Sequence, residues 1–208
     1  DLQARFVPDA AVPRSRHELL FVGRLVEKKG LSHLLDAMPQ ILRSHPETRL
    51  TIAGFGPLRG ELENQARRLG IDGQVSFPGA VTQTELPSLY RRAALVVAPF
   101  VRAASGDREG LPVVLMEAIG CGCPIVASDI PGVRDLSGED SEDTLVPPGD
   151  VPALAAAITR LLDDPQRAAA LAHARRAACM HRIDWSSVVA AYARVLTDAM
   201  AGPEDGSE

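Results

Sequence analysis

The sequence predicts an α/β fold, a doubly wound sheet of about six parallel strands with helices on both faces. Two observations carry the prediction. Short runs rich in Val, Leu and Ile recur along the chain and close on Gly, Pro or Ser, and runs apolar on both sides suit parallel strands covered on both faces. Between them lie segments with apolar residues three and four apart, and strand alternating with helix builds βαβ units. A chain of 208 residues, 46% hydrophobic and 24% charged, is long and apolar enough for one such domain with its own core.

The elements follow in order. The first run is 19–23, and Leu31, Leu34, Leu35, Met38, Ile41 and Leu42 then recur at helical spacing. The second run, 50–54, precedes a helix marked by Leu58, Leu62, Ala66 and Leu69. The third, 75–79, precedes a shorter element filled by Leu86, Leu89 and Tyr90. The fourth, 95–100, opens a long loop, after which Pro112 fits the first turn of a helix. The last two runs are 124–128 and 144–147. Asp150 caps a helix reaching Leu162, and Asp163-Asp164-Pro165 breaks it before another. A final helix carries the apolar stripe Trp185, Val188, Val189, Tyr192, Val195, Leu196 and Ala199, too wide for a free surface. The Gly, Pro and acid of 201–208 predict a disordered tail.

Composition excludes several classes. A formal net charge of −5 argues against a general nucleic-acid surface, so any phosphate site is local. No run suits a membrane span and no signal peptide is visible. Cys121-x-Cys123 lacks a second ligand pair at zinc spacing, so Cys121, Cys123 and Cys179 read as reduced, packed thiols of a cytoplasmic protein. None of His17, His33, His45, His173 and His181 sits in a motif, and they read as surface or packing residues. The chain opens at Asp1 without a methionine, as a fragment or a processed chain does.

The most informative stretch is Glu109-Gly110-Leu111-Pro112-Val113-Val114-Leu115-Met116-Glu117. Its second carboxylate, Glu117, stands inside an apolar run, and a buried glutamate needs a partner. A ligand with hydroxyl groups is one candidate, and a core arginine is the structural alternative. Gly110 allows close backbone approach, and a helix starting at Pro112 aims free N–H groups outward, an end that favours phosphate. In a doubly wound sheet ligands bind beyond the carboxyl ends of the strands. Gly23-Arg24, Gly54-Phe55-Gly56-Pro57, Gly79-Ala80-Val81 and Glu109-Gly110-Leu111-Pro112 all fall there. Taken alone, Glu27-Lys28-Lys29 reads as a solvated charge run. Gly54-x-Gly56-x-x-x-Gly60 imitates a dinucleotide fingerprint, but its spacing is one residue long. Glu109 and Glu117 as a glycosidase pair would leave Arg24 and Lys29 idle.

Val22-Gly23-Arg24-Leu25-Val26-Glu27-Lys28-Lys29-Gly30, then Gly54-Phe55-Gly56-Pro57, then Glu109 with seven residues before Glu117, resemble the donor-binding half of retaining GT-B glycosyltransferases of family 4. Ala118-Ile119-Gly120-Cys121-Gly122-Cys123-Pro124-Ile125-Val126-Ala127 is similar to the family's helix–turn–strand, and the resemblance runs to about residue 200. It implies one Rossmann-like half of a GT-B fold. Residues 1–15 would be the remnant of an interdomain linker, 16–183 the nucleotide-sugar-binding domain and 184–200 a C-terminal crossover helix.

The resemblance also implies roles. Arg24 and Lys29 would contact the diphosphate of a UDP- or GDP-sugar and stabilise it as leaving group, with no metal or other cofactor required. Glu109 would hold sugar hydroxyls, Gly110 and Leu111 would present N–H groups to phosphate, and Glu117 would hold the ribose. Gly23, Gly54 and Gly56 allow the tight approach to the diphosphate, and the backbone at Val81 would meet the base. The acceptor would lie on an N-terminal domain absent from this chain, whose polysaccharide, lipopolysaccharide or glycolipid product and peripheral membrane association stay open. The loop 100–108 is longer than in many members and resembles that of exopolysaccharide and lipopolysaccharide transferases. The apolar stripe of the last helix is expected to fold onto its own domain or to pair in a homodimer. A non-catalytic nucleotide or phosphosugar module and a GT-B-type nucleotide-sugar epimerase are the alternative functions.

Overall fold

The computed structural model describes residues 2–137, 143–183 and 185–201. The tail expected to be disordered lies, beyond Ala201, outside the described residues. Strands β1 (Glu18–Val22), β2 (Arg49–Ala53), β3 (Val75–Gly79), β4 (Leu95–Ala98), β5 (Ile125–Ser128) and β6 (Leu145–Val146) form one sheet. Its order is β3-β2-β1-β4-β5-β6 and every pairing is parallel. This is the expected doubly wound, Rossmann-like sheet. Strand order reverses between β1 and β4, and a cleft opens at such a switch point.

The helices in chain order are α1 (Leu2–Arg5), α2 (Leu31–Ser44), α3 (Arg59–Arg68), α4 (Leu86–Arg92), α5 (Val113–Gly120), α6 (Pro131–Ser137), α7 (Val151–Asp163), α8 (Pro165–Ile183) and α9 (Trp185–Ala201). A 3₁₀ turn, Glu27–Lys29, precedes α2. Alternation along the strands divides the core. Leu19, Phe21, Leu50 and Ile52 meet Leu34, Met38 and Ile41 of α2 and Ile158 of α7. Leu20, Val96, Ala98 and Ile125 meet Tyr90 of α4 and Leu115 and Ile119 of α5. Each such Leu, Ile, Val, Phe or Met side chain taken from water contributes about 1.5–3 kcal/mol. Burial on both faces explains why β4 and β5 read as unbroken apolar runs.

Several boundaries differ from the sequence reading. Strand β4 stops at Ala98 rather than residue 100, because Pro99 has no N–H to continue the ladder. Strand β5 starts at Ile125, although the Pro124 carbonyl still accepts from Val96 N at 2.9 Å. Pro112 caps α5 at ψ 108°, in extended backbone, rather than lying in its first turn. The Asp150 cap is as expected, with Oδ1 accepting from Ala153 N at 2.9 Å, worth about 1 kcal/mol.

The amino-terminal segment packs onto the domain. Phe6 is buried, and Arg14 donates to the carbonyls of Ala93 at 2.6 Å and Gly122 at 3.1 Å. On α9, Val189, Tyr192, Val195 and Leu196 are exposed, so that part of the stripe is not covered by its own domain. The side chains of Trp185, Val188 and Ala199 fall outside the description. Among the described residues no helix is long and apolar enough to cross a membrane.

Candidate functional site

The turns after β1, β2 and β3 are laced together by their backbones. Gly23 N donates to Ala53 O at 3.0 Å, Leu25 N to Phe55 O at 2.8 Å and Gly54 N to Gly79 O at 2.8 Å. The approach is so close that a β-carbon on Gly54 would lie 1.8 Å from Gly23 O, and one on Gly56 2.4 Å from Leu25 O. Only glycine fits either position. Arg24 stands at the rim of these turns, exposed and without a hydrogen bond or ion pair among the described residues.

Glu27-Lys28-Lys29 is not the solvated charge run that its composition predicts. Glu27 Oε1 accepts from Ala104 N at 2.8 Å, Lys28 Nζ lies 3.2 Å from Asp107 Oδ2, and Lys29 Nζ lies 2.9 Å from Glu109 Oε2. Val101 N donates to Lys28 O at 3.0 Å. The 3₁₀ turn therefore fastens the long loop after β4. The Lys29–Glu109 pair is the most enclosed of these contacts, with side chains 12% and 15% exposed. Glu109 Oε2 is off the line of a hydrogen bond, so the attraction is chiefly coulombic. Phe100 lies beneath the cation, its ring centre 4.9 Å from Nζ, which adds about 0.5–1 kcal/mol.

Gly110 and Leu111 lead into α5. The N–H groups of Gly110, Leu111, Val113 and Val114 have no protein acceptor among the described residues. They form the positive end of a helix, where an anion is favoured. One helical turn on, Glu117 is 6% exposed. Its partner is not a core arginine: Tyr90 Oη donates to Glu117 Oε2 at 2.9 Å. Burial raises the Glu117 carboxyl above the ordinary glutamate value, and the Tyr90 hydrogen bond offsets part of that rise. The Tyr90 phenol is raised in turn, first by burial and then by the neighbouring carboxylate.

Two hollows divide these residues. A cavity of about 290 Å³ is lined by Gly23, Arg24, Gly54, Phe55, Val81 and Glu117. A second cleft, about 550 Å³, is lined by Glu109, Gly110, Leu111, Arg102, Arg108 and Gly132. Lys29 and Gly56 line neither; Lys29 joins the assembly through Glu109. A larger hollow, about 750 Å³, lies at the opposite edge around strand-start residues His17, Glu18 and Arg49, away from the glycine turns.

Sequence reasoning missed Tyr90, Phe100 and Phe55. Tyr90 read as a helix filler, although a fully buried tyrosine needs a partner for its hydroxyl, and that signal was present. Phe55 is 63% exposed beside the smaller cavity, and nothing in Gly-x-Gly marks that position. The three cysteines are buried, as expected, and none is in a disulfide. Burial pushes the Cys121 thiol up to about 12 and the Cys123 thiol up to about 11, values of inert packing groups. Among the described residues no three His, Cys, Asp or Glu side chains are grouped to hold a metal ion.

A parallel sheet in this order, with glycine turns, cations and carboxylates gathered on its carboxyl edge, defines a Rossmann-like domain that is one half of a GT-B fold. The chain belongs to the glycosyl transferases group 1 family, which it matches over residues 5–178. It is similar to the glycogen synthase of Mycobacterium tuberculosis, 37% identical over 185 residues that cover 89% of this chain and 43% of that protein. It is also similar to the GDP-mannose-dependent alpha-(1-6)-phosphatidylinositol monomannoside mannosyltransferase of Mycolicibacterium smegmatis, 34% identical over 203 residues that cover 93% and 53%. The chain thus spans about half the length of these curated relatives. Among solved structures it is similar to HepE of Anabaena in complex with UDP and glucose, with TM-score 0.75, 27% identity, and 87% and 48% of the two chains covered.

Proposed function

We propose that this chain binds the nucleoside-diphosphate sugar of a retaining, family 4 glycosyltransferase, and that a second domain outside it carries the acceptor. The observation that carries the reading is Glu117, more than nine-tenths buried yet lining a cavity whose rim holds Arg24. The cavity suits a nucleoside, with the ribose on Glu117 and the base against the backbone at Val81. Arg24, Lys29 and the free N–H groups of Gly110, Leu111, Val113 and Val114 then meet the diphosphate, while Glu109 takes sugar hydroxyls. Gly54 and Gly56 let the turns beside the cavity close on one another, since a β-carbon on either would strike the Gly23 or Leu25 carbonyl.

As the bond from the anomeric carbon to the phosphate oxygen breaks, negative charge grows on the diphosphate and the sugar ring becomes oxocarbenium-like. Arg24, Lys29 and the α5 N-terminus face that growing charge, and a preorganised donor of this kind is typically worth about 3 kcal/mol in the transition state. The named relatives support UDP or GDP as the carrier, and a polysaccharide or a glycolipid as the product. Three buried thiols outside any disulfide support a cytoplasmic setting.

Titrating the 208-residue chain with UDP, GDP, ADP and the bare nucleosides tests the reading. UDP or GDP should bind, and Arg24→Ala should weaken it about tenfold or more while leaving the nucleoside unchanged, since a charged hydrogen bond contributes about 1.5–3 kcal/mol. No binding by any of these at millimolar concentration refutes it.

A further inference from the structure

Tyr90 is fully buried, and its hydroxyl ends on one oxygen of Glu117, Oε2, at 2.9 Å. Phe6 packs against the ring at 6.1 Å between centroids and 60° between planes, and Arg14 Nη1 donates to the Tyr90 backbone carbonyl at 3.2 Å, which holds the main chain of α4 beneath it. The other carboxylate oxygen, Oε1, has no protein donor among the described residues, and Glu117 lines the cavity below Arg24. An ionised carboxylate offers about four acceptor sites, so one phenol leaves most of them unused. The donor is also neutral. An arginine or lysine in place of Tyr90 would neutralise Glu117, whereas a phenol holds its orientation and leaves its charge.

We propose that Tyr90 is a positioning residue: it pins Oε2 of Glu117 and thereby presents Oε1 to the vicinal hydroxyls of a ribose. The chain then discriminates ribonucleoside diphosphates from analogues lacking those hydroxyls, and Tyr90 sets the discrimination without touching the ligand. The inference rests on the nucleotide site proposed above. It predicts a difference between ligands, which a purely structural tyrosine does not.

The test measures UDP and dideoxy-UDP, which lacks both ribose hydroxyls, on the same samples of wild type and Tyr90→Phe. Wild type should prefer UDP by about thirtyfold, and Tyr90→Phe should lower that preference about tenfold with dideoxy-UDP affinity unchanged. Because the preference is a ratio on one sample, it does not depend on the fraction folded. An unchanged preference, or equal losses for both ligands, overturns the role of Tyr90. Wild type that binds neither ligand instead overturns the nucleotide site itself. A second measurement needs no substitution at Tyr90. The chain has two tyrosines, so carbon-13 labelling at the tyrosine Cζ gives two lines, assigned with Tyr192→Phe. UDP should shift the Tyr90 line and dideoxy-UDP should leave it; equal shifts overturn the proposal.

Discussion

Removing the cation from the Lys29–Glu109 pair should cost the fold measurably, and the structure sets the size. The charges are 2.9 Å apart on side chains 12% and 15% exposed. At an effective dielectric constant of about 20 the bare attraction is about 6 kcal/mol, and desolvation of both groups offsets most of it. A net coupling of about 2 kcal/mol remains, with a smaller contribution from Phe100 beneath Lys29. Urea denaturation of wild type, Lys29→Met, Glu109→Gln and the double variant isolates the coupling. In a domain of this size each kcal/mol lowers Tm by about 2–4 °C, so Lys29→Met should melt about 4–10 °C below wild type. Saturating UDP should shrink the coupling, because the diphosphate then shares Lys29. Additive single variants, with coupling under about 0.5 kcal/mol, would show that the pair does not form in solution and refute the reasoning.

Two further perturbations separate packing from function. Gly54→Ala puts a β-carbon 1.8 Å from Gly23 O and should cost about 3 kcal/mol or more. Gly60→Ala in the first turn of α3 meets nothing within 4 Å and should stabilise by about 0.5–1 kcal/mol; equal effects in urea denaturation would contradict the packing of the turns. For Glu117, burial raises the folded carboxyl above its ordinary 4.5. The folded chain therefore keeps this proton to higher pH than the unfolded chain, and stability falls as pH rises from about 4.5 through the raised value. Glu117→Gln should flatten that fall while nucleoside affinity drops about tenfold. A variant that is less stable than wild type at about pH 8 yet binds nucleoside normally makes Glu117 a purely structural residue.

The sheet was legible because its signal is local and redundant. Runs such as Leu19-Leu20-Phe21-Val22 and Leu95-Val96-Val97-Ala98 are apolar on both faces, and a parallel strand buried on both faces permits little else. What one dimension hides is partnership. Glu27 and Lys28 find Ala104 and Asp107 more than seventy residues away, so the run could only read as a solvated face. Tyr90 satisfies the helical spacing of Leu86 and Leu89 so well that its hydroxyl drew no question, and its partner lies 27 residues on. The two carboxylates were visible in sequence because an acid inside an apolar run demands an explanation. Their different surroundings, a lysine for one and a phenol for the other, depend on loops that only the fold brings together.

That difference has an electrostatic consequence. A doubly charged diphosphate approaching the start of α5 would be repelled by two unpaired carboxylates nearby. Lys29 balances Glu109 to a net charge of zero, and Glu117 sits below the surface with a rise in its carboxyl value that marks the cost of its own charge. Arg24 at the rim of the smaller cavity and the four N–H groups at the start of α5 are then left as positive groups without a protein partner among the described residues. The arrangement favours a ligand that is anionic at its middle and hydroxylated at both ends. A sugar joined through a diphosphate to a ribonucleoside has that distribution, and a free sugar or a bare phosphate satisfies only one part of it.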